Sequence, residues 1–295
     1  MPEGTPRNSG KVKTVTSTAN PLVKRIRALA LKKNRDRDGV FLAEGRKLLT
    51  DAMEKDWEID TVVCSRGMAA DAGFSPTIAK CRAMGADILE VSEKVLGAIS
   101  RRDNPQTVIA VIRQRWREPS HLTNLLEAPG DVIIALDRVR DPGNLGTIIR
   151  AADAAGAKGI LQVGDCTDAF SLEAIRATMG SVFHVPLARL SEAEFAALAD
   201  RIGEKVRIAG THLKGAVDYR TIGWQEKPVI LLMGNEQQGL TDTLAATCSE
   251  LVFIPMAGQA DSLNLAVATG IVLFEARREN LVMERPDEAG RAGSA

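Results

Sequence analysis

From residue 132 to residue 254 the chain alternates short, continuously apolar runs with stretches whose apolar residues recur at helical spacing. The runs expected as strands are 132–136, 159–163, 181–185, 206–209, 229–233 and 251–254, with helices expected at 144–155, 171–178, 191–202 and 242–246. Ser191 and Glu194 have the spacing of a capping box at the start of the third helix. Apolar runs of this kind suit strands buried on both faces, and strands joined by helices pair in parallel. The expected fold class is therefore α/β, with a mostly parallel sheet covered by helices on both sides. In such sheets ligands bind beyond the carboxyl ends of the strands. Three loops stand at such ends: 137–144, 234–240 and the stretch after residue 253.

The last of these reads FIPMAGQADSLNLAVATGIVLFE, residues 253–275. Pro255 ends the strand because it has no ladder donor, and residues 258–261 supply a turn. Leu263, Val267, Ile271 and Phe274 then recur at helical spacing, which makes them the expected core stripe. Ser262 and Asn264 sit where the strand turns into the helix and free N–H groups can face a ligand; the plainer alternative is that Ser262 or Asp261 only caps the helix. Asn264, in the first turn, has poor helix propensity and points to a partner off the helix.

The first loop belongs to LDRVRDPGNLGTIIRAADAAG, residues 136–156. Leu145, Ile148, Ile149 and Ala152 form a buried stripe, and at 100° per residue Arg150 projects about 140° away from Leu145. Asn144 is a candidate cap and Arg150 a candidate ligand contact or surface charge. The second loop, LLMGNEQQGL at 231–240, places Gly234 where a ligand can approach the backbone closely, with Asn235, Glu236, Gln237 and Gln238 beyond it. No GxGxxG follows a strand here and no GxxxxGK[ST] occurs, which argues against an ordinary nucleotide-phosphate loop.

The front of the chain is a different module. Residues 1–120 carry 22 Lys and Arg against 15 Asp and Glu, a surplus of 22 − 15 = +7, balanced by 16 − 23 = −7 in the remainder. Between Lys11 and Arg37 nine basic residues face one acidic residue, Asp36. Such a segment either attracts polyanions, of which nucleic acid is the commonest, or is a solvated helix face; Lys24, Arg25, Lys32, Lys33 and Arg35 are the nucleic-acid-binding candidates. Arg101 and Arg102, in a polar loop before the last strand of the module, join them. Asn20-Pro21 opens a basic amphipathic helix with Leu22, Ile26 and Leu29 on one face. Strands at 40–43, 59–64, 87–91 and 108–113 alternate with helices at 46–55, 77–84 and 92–99. The expected division is a structureless tail over 1–13, a small α/β module over 14–114, a linker over 115–130, a second domain over 131–283 and a tail over 284–295.

Cys64, Cys81, Cys166 and Cys248 lie far apart, without metal-ligand spacing, so no metal is expected and the thiols are read as buried and reduced. His121, His184 and His212 have no partner in view and are read as structural or surface residues. The N-terminus lacks a charged-then-apolar signal, and the longest apolar helix is too short to span a bilayer, so the expected compartment is the cytoplasm and no membrane partner is expected.

In their order, Asn144 with Arg150 six residues on, then GNEQQGL, then IPMAGQADSLNLAVATG resemble the three signature motifs of the SpoU (TrmH) family of RNA 2'-O-ribose methyltransferases, over residues 131–279. One departure is Leu265-Ala266, where the family often has Val-Ser. The resemblance implies a SPOUT-type trefoil knot, a homodimer, and S-adenosylmethionine as cofactor. It implies that Gly234, Ile254 and Leu263 hold the cofactor through backbone groups, with Met233, Asn235, Met256 and Thr211 nearby. It maps Arg150, Asn144, Ser262 and Asn264 onto the catalytic and ribose-phosphate positions, and Glu236, counted with the catalytic set, onto the second-motif acid. The front module resembles the RNA substrate-binding domain of many members, with ribosomal RNA favoured over transfer RNA as substrate. The alternative is a non-catalytic RNA- or ribosome-binding protein on the same scaffold.

Overall fold

The computed structural model describes residues 9–100, 106–212 and 217–281. The loop with Arg101 and Arg102, the first eight residues and the expected C-terminal tail lie outside these. The chain divides into two compact units, one of Met1–Trp116, Arg140–Arg150 and Thr167–Pro186, the other of Arg117–Val139, Ala151–Cys166 and Leu187–Ala295.

In chain order the front elements are β1 (Val12–Val15), α1 (Pro21–Ala28), α2 (Lys32–Asp38), β2 (Val40–Glu44), α3 (Arg46–Glu54) and β3 (Ile59–Ser65). They continue as α4 (Arg66–Ala69), α5 (Ser75–Ala83), β4 (Asp87–Val91), α6 (Glu93–Ser100) and β5 (Val108–Arg113). The five strands form one mixed sheet in the order β1-β4-β3-β5-β2. Its first strand starts inside the segment expected to be structureless. β1 is an edge strand with only Val15 buried, so it shows no apolar period; it is held by parallel pairing to β4 and by Asp87, whose Oδ1 accepts from the Lys11 N–H at 2.8 Å.

Arg35 departs from its expected role. It is buried, its Nη2 lies 2.6 Å from Asp168 Oδ2, and its Nη1 donates to Leu29 O at 2.7 Å, so it faces no polyanion. The same unit contains a cluster of aromatic rings, with Phe41, Trp57, Trp116, Phe170 and Phe183 at centroid separations of 4.7 to 6.4 Å. The expected strand at 181–185 is instead a 3₁₀ turn, Ser181–Phe183, after two left-handed residues, Met179 and Gly180. Val182 and Phe183 are apolar because they pack, not because they pair; the strand itself follows Pro186.

The rest of the chain runs α7 (Pro119–Thr123), β6 (Val132–Asp137), α8 (Pro142–Ala154), β7 (Gly159–Val163), α9 (Leu172–Thr178), β8 (Leu187–Leu190) and α10 (Glu192–Ile202). After these come β9 (Arg207–Thr211), β10 (Val217–Asp218), β11 (Val229–Met233), α11 (Asp242–Ala246), β12 (Glu250–Phe253) and α12 (Leu265–Ala276). The seven strands form a sheet in the order β10-β12-β9-β11-β6-β7-β8, and every pairing in it is parallel. Ser191 and Glu194 form the expected capping box. The segment expected as a linker is partly built into this unit: Leu122 is fully buried in its core, and the Arg117 N–H donates to Leu187 O at 2.8 Å.

Burial pushes the thiols of Cys64, Cys81 and Cys166 up to about 11 and that of Cys248 up to about 12, so none is a thiolate near neutral pH. No helix among the described residues is long and apolar enough to cross a membrane.

Candidate active site

The strands β12, β9 and β11 are neighbours in the parallel sheet, and a cleft of about 510 Å³ opens beyond their carboxyl ends. Its volume falls within the few hundred to about 1,000 Å³ usual for small-molecule sites. Every residue expected to hold a cofactor lines it: Thr211 at the end of β9, Met233, Gly234 and Asn235 at the end of β11, and Ile254, Met256 and Leu263 after β12. Glu236 and Ser262, from the expected catalytic set, line it as well. Asn144, Arg150 and Asn264 are not among its lining residues.

The second-motif loop is a closed turn. Asn235 and Gly239 exchange backbone hydrogen bonds of 3.1 and 3.0 Å, and Asn235 Oδ1 accepts from the N–H groups of Gln237 and Gln238. Asn235 Nδ2 donates to Arg138 O at 2.9 Å. Both the side chain and the backbone of Asn235 are therefore committed to holding the loop closed. Gly234 is required sterically: a Cβ there would lie 2.6 Å from Gly239 C and from Leu240 N.

The third-motif loop corrects two expectations. The helix begins three residues after Ser262, and Asn264 is its cap, with Oδ1 accepting from Ala266 N–H at 2.9 Å and Val267 N–H at 3.2 Å. The side chain's competition with the backbone, which makes Asn a poor interior residue, makes it a good cap. Three of the four residues of the expected core stripe point outward, with Leu263, Val267 and Phe274 37%, 52% and 43% exposed and Ile271 half-buried, while Leu265, Ala266, Thr269, Val272, Leu273 and Ala276 are buried. The helix is apolar on both faces, so periodicity could not say which one its own chain covers. Its end is fixed by Arg277, whose Nε donates to Ala155 O at 3.0 Å and Nη1 to Gly130 O.

In the first motif, α8 starts at Pro142, two residues earlier than expected, and Asp141 Oδ1 accepts from the Asn144 N–H at 2.6 Å. Asn144 lies within the first turn and is not the cap. Leu145, Ile148, Ile149 and Ala152 are fully buried, and Arg150 is exposed, as the spacing requires. At Gly146 a Cβ would collide with Ala174 O and the Ala177 methyl, so only glycine permits this approach to α9.

Of the RNA-binding candidates described, Lys24 and Lys33 are exposed, whereas Arg25 and Lys32 are exposed but paired with Asp38 at 3.1 Å and Asp36 at 2.6 Å. Exposed pairs of this kind are weak and exchangeable. Sequence reasoning missed His212, Gln237, Gln238, Gly239 and Asp261 as cleft residues. Each is within a few positions of a residue that was singled out, and chain adjacency to the motifs was the available signal. His212, set aside as structural or surface, directly follows β9 and reaches the cleft.

Residues 131–274 match the SpoU rRNA Methylase family, and residues 20–110 match an MRM3-like substrate binding domain. The chain is 30% identical over 266 residues to the 23S rRNA (guanosine(2553)-2'-O)-methyltransferase RlmP of Bacillus subtilis, covering 90% of this chain and 100% of that one. A crystal structure of AdoMet-bound rRNA methyltransferase from Sinorhizobium meliloti superposes with a TM-score of 0.85 at 53% identity, covering 92% of this chain and 100% of that chain. The SpoU methyltransferase AviRb from Streptomyces viridochromogenes, in complex with AdoMet, gives 0.76 at 28% identity, over 88% and 99%. The chain belongs to the SpoU rRNA methylase family.

Proposed function

We propose that this protein transfers a methyl group from S-adenosylmethionine to a ribose 2'-hydroxyl of ribosomal RNA. The observation that carries the reading is the cleft beyond β9, β11 and β12, where residues of the second and third motifs meet. It is supported by the rRNA 2'-O-methyltransferases among the relatives and by the AdoMet bound to the S. meliloti protein. The lining fits such a cofactor. Val252, Ile254, Met256, Leu263 and Leu265 offer apolar surface for an adenine ring, and Glu236 and Asp261 offer negative charge for a sulfonium and an ammonium. Backbone groups of Gly234, Ile254 and Leu263 are the ones to bind the adenine and ribose edges, with Thr211, Met233, Asn235 and Met256 enclosing them.

When bound, S-adenosylmethionine supplies an electrophilic methyl group. What the chain must add is a ribose oxygen held in line with it. Ser262 orients that ribose, Glu236 keeps the second-motif loop in place, and Asn144 sets the first turn of the helix that carries Arg150. A guanidinium keeps its charge across the working pH range, so Arg150 stabilises the developing alkoxide, or a neighbouring phosphate that accepts the proton, rather than acting as the base. Asn264 contributes by fixing the start of α12.

Arg150 is absent from the lining of its own chain's cleft, and Val267 and Phe274 on α12, with Leu263 just before it, are exposed to solvent. Both features support a homodimer in which this apolar face is covered and the partner subunit brings its arginine to the cleft. The trefoil knot belongs to the same reading. Lys24, Arg25, Lys32 and Lys33, with Arg101 and Arg102, receive the RNA backbone. Arg150→Ala tests the assignment: methyl transfer to ribosomal RNA falls by a factor of at least about 100, the loss typical of a transition-state charge stabiliser, while S-adenosylmethionine binding stays intact. Unchanged turnover would remove Arg150 from the mechanism.

A further inference from the structure

Arg138 holds a backbone conformation that a residue with a Cβ adopts only under constraint, with φ at +47°. Its N–H donates to Val163 O at 2.9 Å, and its side-chain stem passes over Gly164, where an added Cβ would stand 3.1 Å from Arg138 Cγ. All three nitrogens of the guanidinium are engaged. Nε and Nη2 donate to the two oxygens of Asp137 at 2.7 and 2.9 Å, Nη1 donates to Gln238 Oε1 at 2.8 Å, and Nη2 also reaches Gly239 O at 3.4 Å. Asp137 is 1% exposed, so the anchoring carboxylate is desolvated and the pair is a strong one. In the other direction, the Arg138 carbonyl accepts from Asn235 Nδ2 at 2.9 Å. One residue at the end of β6 thus grips both ends of the turn 235–239 that forms a wall of the cleft.

We propose that Arg138 is a positioning residue, which holds the turn 235–239 in the shape competent to bind the cofactor without touching the cofactor itself. This rests on the reading of the cleft as the S-adenosylmethionine site. Arg138 is not among the residues lining the cleft, and Gln237 and Gln238 are exposed. Without the guanidinium the turn keeps its internal hydrogen bonds and that from Asn235 Nδ2 to the residue 138 carbonyl, but its other end loses the hold on Gln238 and Gly239 and samples other positions, and apparent affinity falls by the fraction of time spent in the competent one. A lysine is no substitute, because a single ammonium lacks the fork that spans Asp137 and Gln238 together.

The test uses the full chain, with S-adenosylmethionine binding by calorimetry, initial rates, and amide hydrogen exchange of Gln237, Gln238 and Gly239. Arg138→Gly leaves the left-handed backbone unstrained while removing the guanidinium. It is expected to raise both Kd and KM for S-adenosylmethionine about tenfold, the loss of a charge-assisted hydrogen bond, with kcat at saturating cofactor within about twofold. Arg138→Lys does not restore the affinity. Gln238→Ala keeps the Asp137–Arg138 pair and its folding contribution, and raises Kd about threefold, as loss of one exposed hydrogen bond allows. Combined with Arg138→Gly it adds no further loss. Exchange of the turn amides accelerates in the same order. Unchanged Kd and KM in Arg138→Gly and Gln238→Ala, or a fall in kcat and melting temperature alone, would overturn the proposal. If the wild type fails to bind S-adenosylmethionine, the cofactor reading is overturned and the positioning role with it. Accelerated exchange in that case would still show the clamp.

Discussion

A cation in a basic segment looks like a ligand for polyanions until its surroundings are known, and Arg35 shows the difference. Lys33, two residues earlier, is exposed, whereas Arg35 is 4% exposed and paired with Asp168, itself 5% exposed. Removing one member of a buried pair leaves the other charge desolvated and unpaired. Arg35→Met is therefore expected to cost about 3–5 kcal/mol in urea unfolding, against a change within about 0.5 kcal/mol for Lys33→Met. Equal midpoints for the two variants would contradict the burial argument. The sequence displayed the charge density of residues 11–37 but not which cation turned inward, because Asp168 is 133 residues away and no local pattern joins them. Arg150 was legible for the opposite reason: its direction is set by the stripe of its own helix. Arg138 was not, since its role depends on a turn about 100 residues downstream.

Among the elements, strands buried on both faces were read most accurately, with β7 and β11 matching their expected limits, because a continuous apolar run has no other comfortable place in an α/β unit. The misses share a cause. β1 is short and exposed, and the apolar residues at 181–185 serve ring packing, so in both places composition and pairing part company. α12 shows the same limit within a helix, where a second apolar face drew attention away from the buried one. Its start depends on Asn264. Asn264→Ala is expected to lower stability by about 1 kcal/mol, whereas Asn264→Asp, which keeps an acceptor for the Ala266 and Val267 amides, leaves it nearly unchanged. Denaturant midpoints that do not differ between the two substitutions would show that the cap carries no weight.

At the scale of the molecule, the exposed side of α12 and the cleft at its N-terminus belong to one account. Leu263 serves both, lining the cleft and standing 37% exposed. If a second copy covers the face of Val267 and Phe274, Phe274→Glu places a charge in an apolar interface. It should then convert a species of twice the chain mass in light scattering into one of a single chain mass, with methyl transfer lost alongside. A wild-type protein that is monomeric at micromolar concentration would contradict this. The charge asymmetry between the front and rear of the chain agrees with an RNA substrate met by one module and altered at the cleft of another. The most direct measurement is transfer of labelled methyl from S-adenosylmethionine to ribosomal RNA from cells lacking the gene, followed by digestion to nucleosides. Label is expected in a 2'-O-methylated nucleoside from the wild-type protein and none with Arg150→Ala. Label confined to a base, or none from the wild type, would contradict this.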